Sequence, residues 1–118
     1  MGVFSVEIEI GSTNREDFQS LSAMVDTGAV FSRAPASLLQ DIGVAPDDEG
    51  RFRTADNRVV TRPTGKVWIR LQGKEFTTRI IFGEEGETPL LGAIALEEAM
   101  LAVDPHNGVL VPVEGWLL

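Results

Sequence analysis

The feature that most constrains the fold is a period-two alternation of apolar and polar residues in several short segments. Residues 6–10, 67–71 and 76–82 all alternate in this way. Because neighbouring side chains of a strand point to opposite faces, the alternation predicts half-buried strands. Residues 52–62 are a further candidate hairpin, with its turn at 55–57. The chain is therefore predicted to be mostly β.

Shorter signals complete the predicted element order. After a second strand that ends near Val25, residues 29–32 can resume that strand, and a short helix is expected from Pro35. Residues 45–50 are interpreted as a loop. Residues 93–100 contain strong helix formers, and residues 109–111 form a final strand. Many short strands with one or two short helices favour a small barrel or closed sandwich.

Composition excludes several functions. The chain has 118 residues, a size typical of one domain, and a formal net charge of −8, which argues against a nucleic-acid partner. It has no cysteine, so disulfides, thiolate chemistry and cysteine-based zinc sites are excluded. No apolar segment is long enough to cross a membrane, and no signal peptide is visible. We expect no membrane partner and a cytoplasmic location.

Carboxylates are the best candidates for chemistry. The single histidine, His106, lies in a Pro/Asn/Gly turn, and neither a nucleophile elbow nor a phosphate-binding loop is present. Asp26 instead follows the apolar residues 23–25, where its carboxylate would be partly desolvated. Gly28 gives the backbone freedom for a tight turn. On the triplet alone, an ordinary Asx turn at Asp26 is the favoured interpretation, and a catalytic role stays open.

Two motifs resemble those of the retropepsin-like aspartic proteases. Residues 24–29 (MVDTGA) are similar to the family's Asp-Thr-Gly motif, and residues 90–93 (LLGA) are similar to the element before its helix. The order of predicted elements extends the resemblance over nearly the whole chain, and the small single-domain bacterial members look most similar. The resemblance implies a small closed β-barrel of the retropepsin-like acid protease type with one short C-terminal helix. Residues 1–118 would form a single domain, one half of a homodimeric enzyme.

The resemblance also implies roles for individual residues. In the catalytic loop, Asp26 would be the catalytic aspartate, and Thr27 would form hydrogen bonds across the dimer axis. Gly28 and Ala29 would lie beside the substrate. The flap tip would contribute three substrate-binding residues: Ala55, Asp56 and Asn57. Two residues would support the catalytic loop from below: Leu91 and Gly92. The flap tip departs from the viral pattern because it lacks glycine, and residues 109–118 do not resemble the viral terminal strands.

The expected activity is that of an aspartic endopeptidase. A water molecule activated by two aspartates, one from each copy of the chain, would hydrolyse a polypeptide substrate without a metal or another cofactor. Three alternatives remain open at this point: a non-catalytic dimeric module that binds peptides, a small β-barrel scaffold in which the triplet is only a turn, and a carboxylate glycosidase.

Overall fold

The computed structural model describes residues 4–115 and 117. Its strands are β1 (Ser5–Gly11), β2 (Gln19–Val25), β3 (Ser32–Pro35), β4 (Asp48–Arg53), β5 (Val59–Leu71), β6 (Lys74–Gly83), β7 (Leu90–Leu91), β8 (Leu101–Asp104) and β9 (Val109–Pro112). Its helices are α1 (Ala36–Asp41) and α2 (Ala93–Ala99). The mostly β class and the helix predicted over 93–100 are confirmed. None of the helices in this described part is long and apolar enough to cross a membrane.

Seven of these strands form one sheet in the order β1-β2-β7-β3-β6-β5-β4. An additional antiparallel pairing joins residues 9–11 of β1 to residues 68–70 of β5. The hydrogen-bonded pairings therefore run in a ring through six strands, with β4 attached outside it as the edge strand. Strands β8 and β9 form a separate antiparallel pair.

The core confirms the alternation predicted for β5 and β6. Along β5, Val67, Ile69 and Leu71 are buried, whereas the residues between them reach the surface in part or in full. On β6, Ile80 and Phe82 are buried in the same cluster. Burial of such apolar side chains contributes roughly 25 cal/mol per Å² and holds the two longest strands together.

Two predicted boundaries were wrong, and one strand was not predicted. Residues 29–31 do not resume a strand, because the carbonyls of Ala29 and Val30 accept hydrogen bonds from the first amides of α2. The predicted loop at 45–50 contains the first half of β4, since Asp48 already pairs with β5 and an edge strand tolerates charged residues. Strand β8 was missed. It begins because Met100 adopts a left-handed conformation (φ 55, ψ 46) that ends α2.

Candidate active site

Asp26 stands at the end of a buried strand. Strand β2 pairs in parallel with β7, and both Val25 and Leu91 of this pair are fully buried. The amide of Asp26 donates to the carbonyl of Leu91 at 3.0 Å, which extends the pairing by one residue. The side chain of Asp26 is half-buried. A carboxyl group is thus held at the rim of the apolar core, on a strand end that cannot easily move.

A tight turn follows Asp26. The amide of Gly28 donates to Asp26 Oδ1 at 2.9 Å, and the amide of Ala29 donates to the Asp26 carbonyl at 3.1 Å. This is the geometry of an Asx turn, and it also fixes the orientation of the carboxylate. Within the described residues no hydrogen bond is donated to the second carboxylate oxygen. Thr27 and Gly28 are exposed, so this face of the turn is open to a ligand or to another chain.

Gly92 packs directly against the backbone behind this turn. A Cβ atom at Gly92 would lie 2.7 Å from the carbonyl carbon and oxygen of Phe31 and 2.8 Å from the carbonyl oxygen of Ala29. The Gly92 amide donates to the buried Ser32 Oγ at 3.0 Å, and the Ala93 amide donates to the Ala29 carbonyl at 2.8 Å. The predicted supporting position of Gly92 therefore has a steric basis. Ser32 was not predicted from the sequence, because its role depends on a partner 60 residues away.

A groove of about 740 Å³ lies between the Asp26 loop and the hairpin of β4 and β5. Four of the predicted site residues line it: Asp26, Gly28, Ala29 and Ala55. The other five predicted residues are not among its lining: Thr27, Asp56, Asn57, Leu91 and Gly92. The structure thus brings Asp26 and the β4–β5 hairpin to one cavity, but turns Asp56 and Asn57 of the hairpin tip away from it.

The flap tip is held by its own hydrogen bonds. Asp56 forms an ion pair with Arg58 at 2.8 Å and accepts a hydrogen bond from the Thr54 hydroxyl. These partners lower the pKa of Asp56, with the Thr54 hydroxyl as the largest cause. Asn57 adopts a positive φ of 68°, and both its oxygens accept from Arg53. Asp56 and Asn57 therefore stabilise the turn.

The groove has apolar and cationic walls that sequence analysis did not predict. Phe31 and Phe52 pack edge to face with their ring centroids 6.0 Å apart, and the neighbouring Val30 is 58% exposed. Within the described part of the chain, four arginines line the groove: Arg33, Arg51, Arg53 and Arg62. Only the Arg-Phe-Arg alternation of residues 51–53 could have indicated a basic face from sequence.

By structure, the chain is similar to the protease of Simian Foamy Virus (mac), with 19% sequence identity and a TM-score of 0.58 over 80% of this chain and 92% of that one. It is also similar to the EIAV protease, with 18% identity and a TM-score of 0.60 over 80% of this chain and 85% of that one. No protein-family model and no curated protein matches the chain by sequence. The fold is retropepsin-like.

The chain is similar by structure to a protein of unknown function from Legionella pneumophila subsp. pneumophila as well. That protein is 20% identical to this chain, with a TM-score of 0.56 over 87% of this chain and 92% of that one. A likeness at these identities shows the fold alone, because one fold can host different activities.

A second carboxylate, that of Glu87, also lines the groove of this retropepsin-like fold, and other groups of the protein bind it. Glu87 accepts a hydrogen bond from the Glu84 amide at 2.7 Å and lies 3.6 Å from Arg62 and 3.9 Å from Arg33. The backbone hydrogen bond, followed by the two guanidinium groups, lowers the pKa of Glu87. Glu87 therefore stays ionised in mild acid and serves as a structural counter-ion. Asp26 is the groove carboxylate that remains available to a substrate.

Proposed function

We propose that this chain is an aspartic endopeptidase of small, single-domain bacterial type, active as a homodimer. The observation that carries the proposal is the position of Asp26 at the end of a buried strand pair, facing an open groove. Its carboxylate is half-buried, and one of its oxygens accepts no hydrogen bond from residues 4–115 and 117. The retropepsin-like fold supports it. On this proposal the ring of six strands is a small closed barrel that keeps the Asp26 loop rigid.

The proposed chemistry is attack of water on a peptide carbonyl. One ionised carboxylate accepts the proton of the water while a protonated carboxyl donates to the carbonyl oxygen. As in aspartic proteases generally, this requires two carboxyl groups about 3 Å apart that share one proton, because like charges so close cannot both ionise. The two protonation steps then belong to the pair.

A second copy of the chain must supply the second carboxyl group. The sequence contains a single Asp-Thr-Gly triplet, at 26–28, and Glu87 is held by two arginines and a backbone amide. A two-fold axis beside Asp26 would bring two identical loops face to face. The exposed Thr27 is then available to bond across that axis. A monomer would lack the mechanism.

The C-terminal hairpin is the surface that we propose for the dimer contact. Among the described residues, most large hydrophobic side chains that stay exposed come after α2, including Met100, Val109, Val111 and Val113. The three valines recur every second residue, so they project from one face of β9 and its continuation. An apolar face of this kind fits a second copy, which the single aspartate already requires.

Val111→Glu is expected to raise the dissociation constant of the dimer by about 10- to 100-fold, since each copy would place a carboxylate in an apolar contact. Sedimentation equilibrium of the variant and wild type would measure it. Thr77→Glu, at the exposed position of β6, is the matched control and should dimerise like wild type. A Val111→Glu protein as dimeric as wild type would place the interface elsewhere.

The activity itself is tested with an unbiased peptide library. We expect cleavage from mildly acidic to neutral pH by a sample shown to be dimeric, with products identified by mass spectrometry. Specific activity should also fall on dilution through the dissociation constant, because only dimers are active. A dimeric sample that cuts no peptide at any pH contradicts the proposal.

A non-catalytic peptide-binding dimer is the second candidate. The flap tip favours it, because Asp56 and Asn57 are engaged within the tip itself and do not line the groove. Such a module would bind library peptides in the same groove without turnover. Retention of intact peptides by the dimer, with no products after long incubation, would identify it.

A further inference from the structure

The outer edge of strand β4 has no partner strand within the described residues, since β4 pairs with β5 alone. The Thr54 amide donates to the Arg58 carbonyl, and hydrogen-bonded pairs alternate with other pairs along an antiparallel ladder. Glu49 and Arg51 therefore direct their amide and carbonyl groups away from β5. Accordingly, the Glu49 amide bonds to the Asp48 carboxylate at 2.7 Å. An edge of this kind can accept a further strand.

Two opposite charges flank Gly50 on this edge. Glu49 and Arg51 are exposed, and they project from the same face of β4 because they are two residues apart. The β5 residues opposite them, Pro63 and Thr61, carry no charge. Neither charged side chain forms an ion pair or a hydrogen bond with residues 4–115 and 117. Both charges are therefore available to a partner.

The order of these charges makes the β4 edge complementary to itself. Two copies of an edge that are related by a two-fold axis pair antiparallel, with their outward-facing residues opposite each other. With the axis at Gly50, Glu49 of each copy lies opposite Arg51 of the other, so both charge pairs are attractive. A shift of the register by two residues places Arg51 opposite Arg51 or Glu49 opposite Glu49. The charges therefore favour one register.

Gly50 leaves this axis free of side chains. Two residues that face each other at Gly50 would form a non-hydrogen-bonded pair, whose Cα atoms are only about 4.5 Å apart. In its own chain, the ring of Phe52 covers Gly50, 2.6 Å from the position of a Gly50 Cβ. That ring lies on the groove face of β4, opposite to the face of Glu49 and Arg51. Pairing through the charges would therefore leave the groove wall in place.

The opposite signs distinguish this edge from one that is merely protected. Edge strands commonly carry charges that oppose pairing with another chain. Two charges of one sign would repel a second copy of the same edge, whereas Glu49 and Arg51 attract one. Self-complementarity of this kind makes a second copy of the chain the partner that fits.

We propose that β4 binds β4 of a second copy, which joins two hairpins edge to edge in one continuous sheet with Gly50 at the two-fold axis. This contact is separate from the C-terminal hairpin contact and requires no catalytic activity. Two different two-fold contacts on one chain would link dimers into larger assemblies.

Cysteine cross-linking tests the contact and its register, since the chain contains no cysteine. In the proposed register, residues 49 and 51 of different copies have Cα atoms about 5.5 Å apart, within the range that a disulfide bridges. A mixture of Glu49→Cys and Arg51→Cys proteins in a glutathione buffer should therefore form disulfide-linked pairs about tenfold faster than either variant alone. The mixed pair also keeps one Glu49–Arg51 contact. Intact mass spectrometry identifies the mixed product.

Glu16→Cys mixed with Arg51→Cys is the control for random collision. Glu16 is exposed and lies between β1 and β2, away from the β4 strand. This mixture should therefore cross-link only at the slow rate of the single variants. A mixture of Glu49→Cys and Arg51→Cys that links no faster than this control, or no faster than either variant alone, overturns the proposal.

A charge exchange tests the attraction itself. Glu49→Arg places arginines opposite each other twice and should raise the dissociation constant of this contact by about tenfold or more, because like charges directly opposite destabilise a strand pair. The Glu49→Arg/Arg51→Glu double variant restores both attractive pairs with the signs exchanged, so it should associate like wild type. Sedimentation velocity over a concentration series measures the association of each protein.

Glu16→Arg changes the net charge by the same amount as Glu49→Arg and should associate like wild type. A double variant that associates as weakly as Glu49→Arg contradicts the contact, and so does a Glu49→Arg protein that associates like wild type. Neither readout requires turnover. A chain that cuts no peptide therefore refutes the proposed activity alone, whereas peptide cleavage without the cross-link refutes the β4 contact alone.

Discussion

Asp26→Asn is expected to lower kcat/KM for peptide cleavage by about a thousandfold or more, while the folded dimer is retained. Asparagine has nearly the same shape as aspartate, and its carbonyl oxygen can still accept the hydrogen bond of the Gly28 amide. The amide cannot accept a proton from water, so the general base is lost. Rates are compared by mass spectrometry at equal dimer concentration, with circular dichroism and sedimentation to check fold and assembly.

Mixing experiments make the same substitution a test of the shared site. If wild type and Asp26→Asn chains exchange freely, the fraction of dimers with two aspartates is the square of the wild-type fraction. Activity should therefore fall to about a quarter in an equimolar mixture. A fall to one half would mean that each chain works alone, which contradicts the two-copy dyad.

Asp41→Asn is the matched control for both measurements. Asp41 ends α1, is exposed and does not line the groove, so its replacement changes charge in the same way without touching the site. We expect the Asp41→Asn variant to cleave peptides at the wild-type rate, and its mixtures with wild type to keep full activity. Activity that survives in a carefully purified Asp26→Asn protein would exclude Asp26 as the catalytic group.

Local sequence was enough to predict the strands that carry the fold. The alternation in β5 and β6 predicted which side chains are buried, because period two is a property of the strand itself. The hairpin turn at 55–57 and the helix from Ala93 were predicted for the same reason: their residue types favour those conformations locally. The position of Asp26 after an apolar strand was likewise visible in the sequence.

The parts that sequence could not predict depend on distant partners. Strand β3 starts late because residues 29–31 cap α2, which lies some sixty positions further along the chain. The four arginines that line the groove come from three strands, β3, β4 and β5, and only the sheet order brings these strands to one cavity. Ser32 is buried and accepts a hydrogen bond from the Gly92 amide. No sequence pattern near Ser32 indicates this contact.

Gly92→Ala is expected to destabilise the fold by about 3 kcal/mol, near the upper range for overpacking. The φ of Gly92 is −97°, which any residue can adopt, so the cost arises from contact alone. The added carbon would lie 2.7 Å from the Phe31 carbonyl and 2.8 Å from the Ala29 carbonyl oxygen, both backbone groups that cannot rotate away. In a chain of this size, such a loss corresponds to a fall in Tm of roughly 10 °C or more.

Gly115→Ala is the control, because a Cβ atom there meets only the flexible end of Met100 at 3.4 Å. Its stability should stay within about 0.5 kcal/mol of wild type. The unfolding of both variants is measured at the same protein concentration, since the stability of a dimer depends on concentration.

Relief of the Gly92 clash requires residues 29–31 to move, and the Asp26 turn is bonded to that segment through Ala29. Peptide cleavage should therefore fall in folded Gly92→Ala protein as well. A variant as stable and as active as wild type would show that the catalytic loop does not depend on this contact.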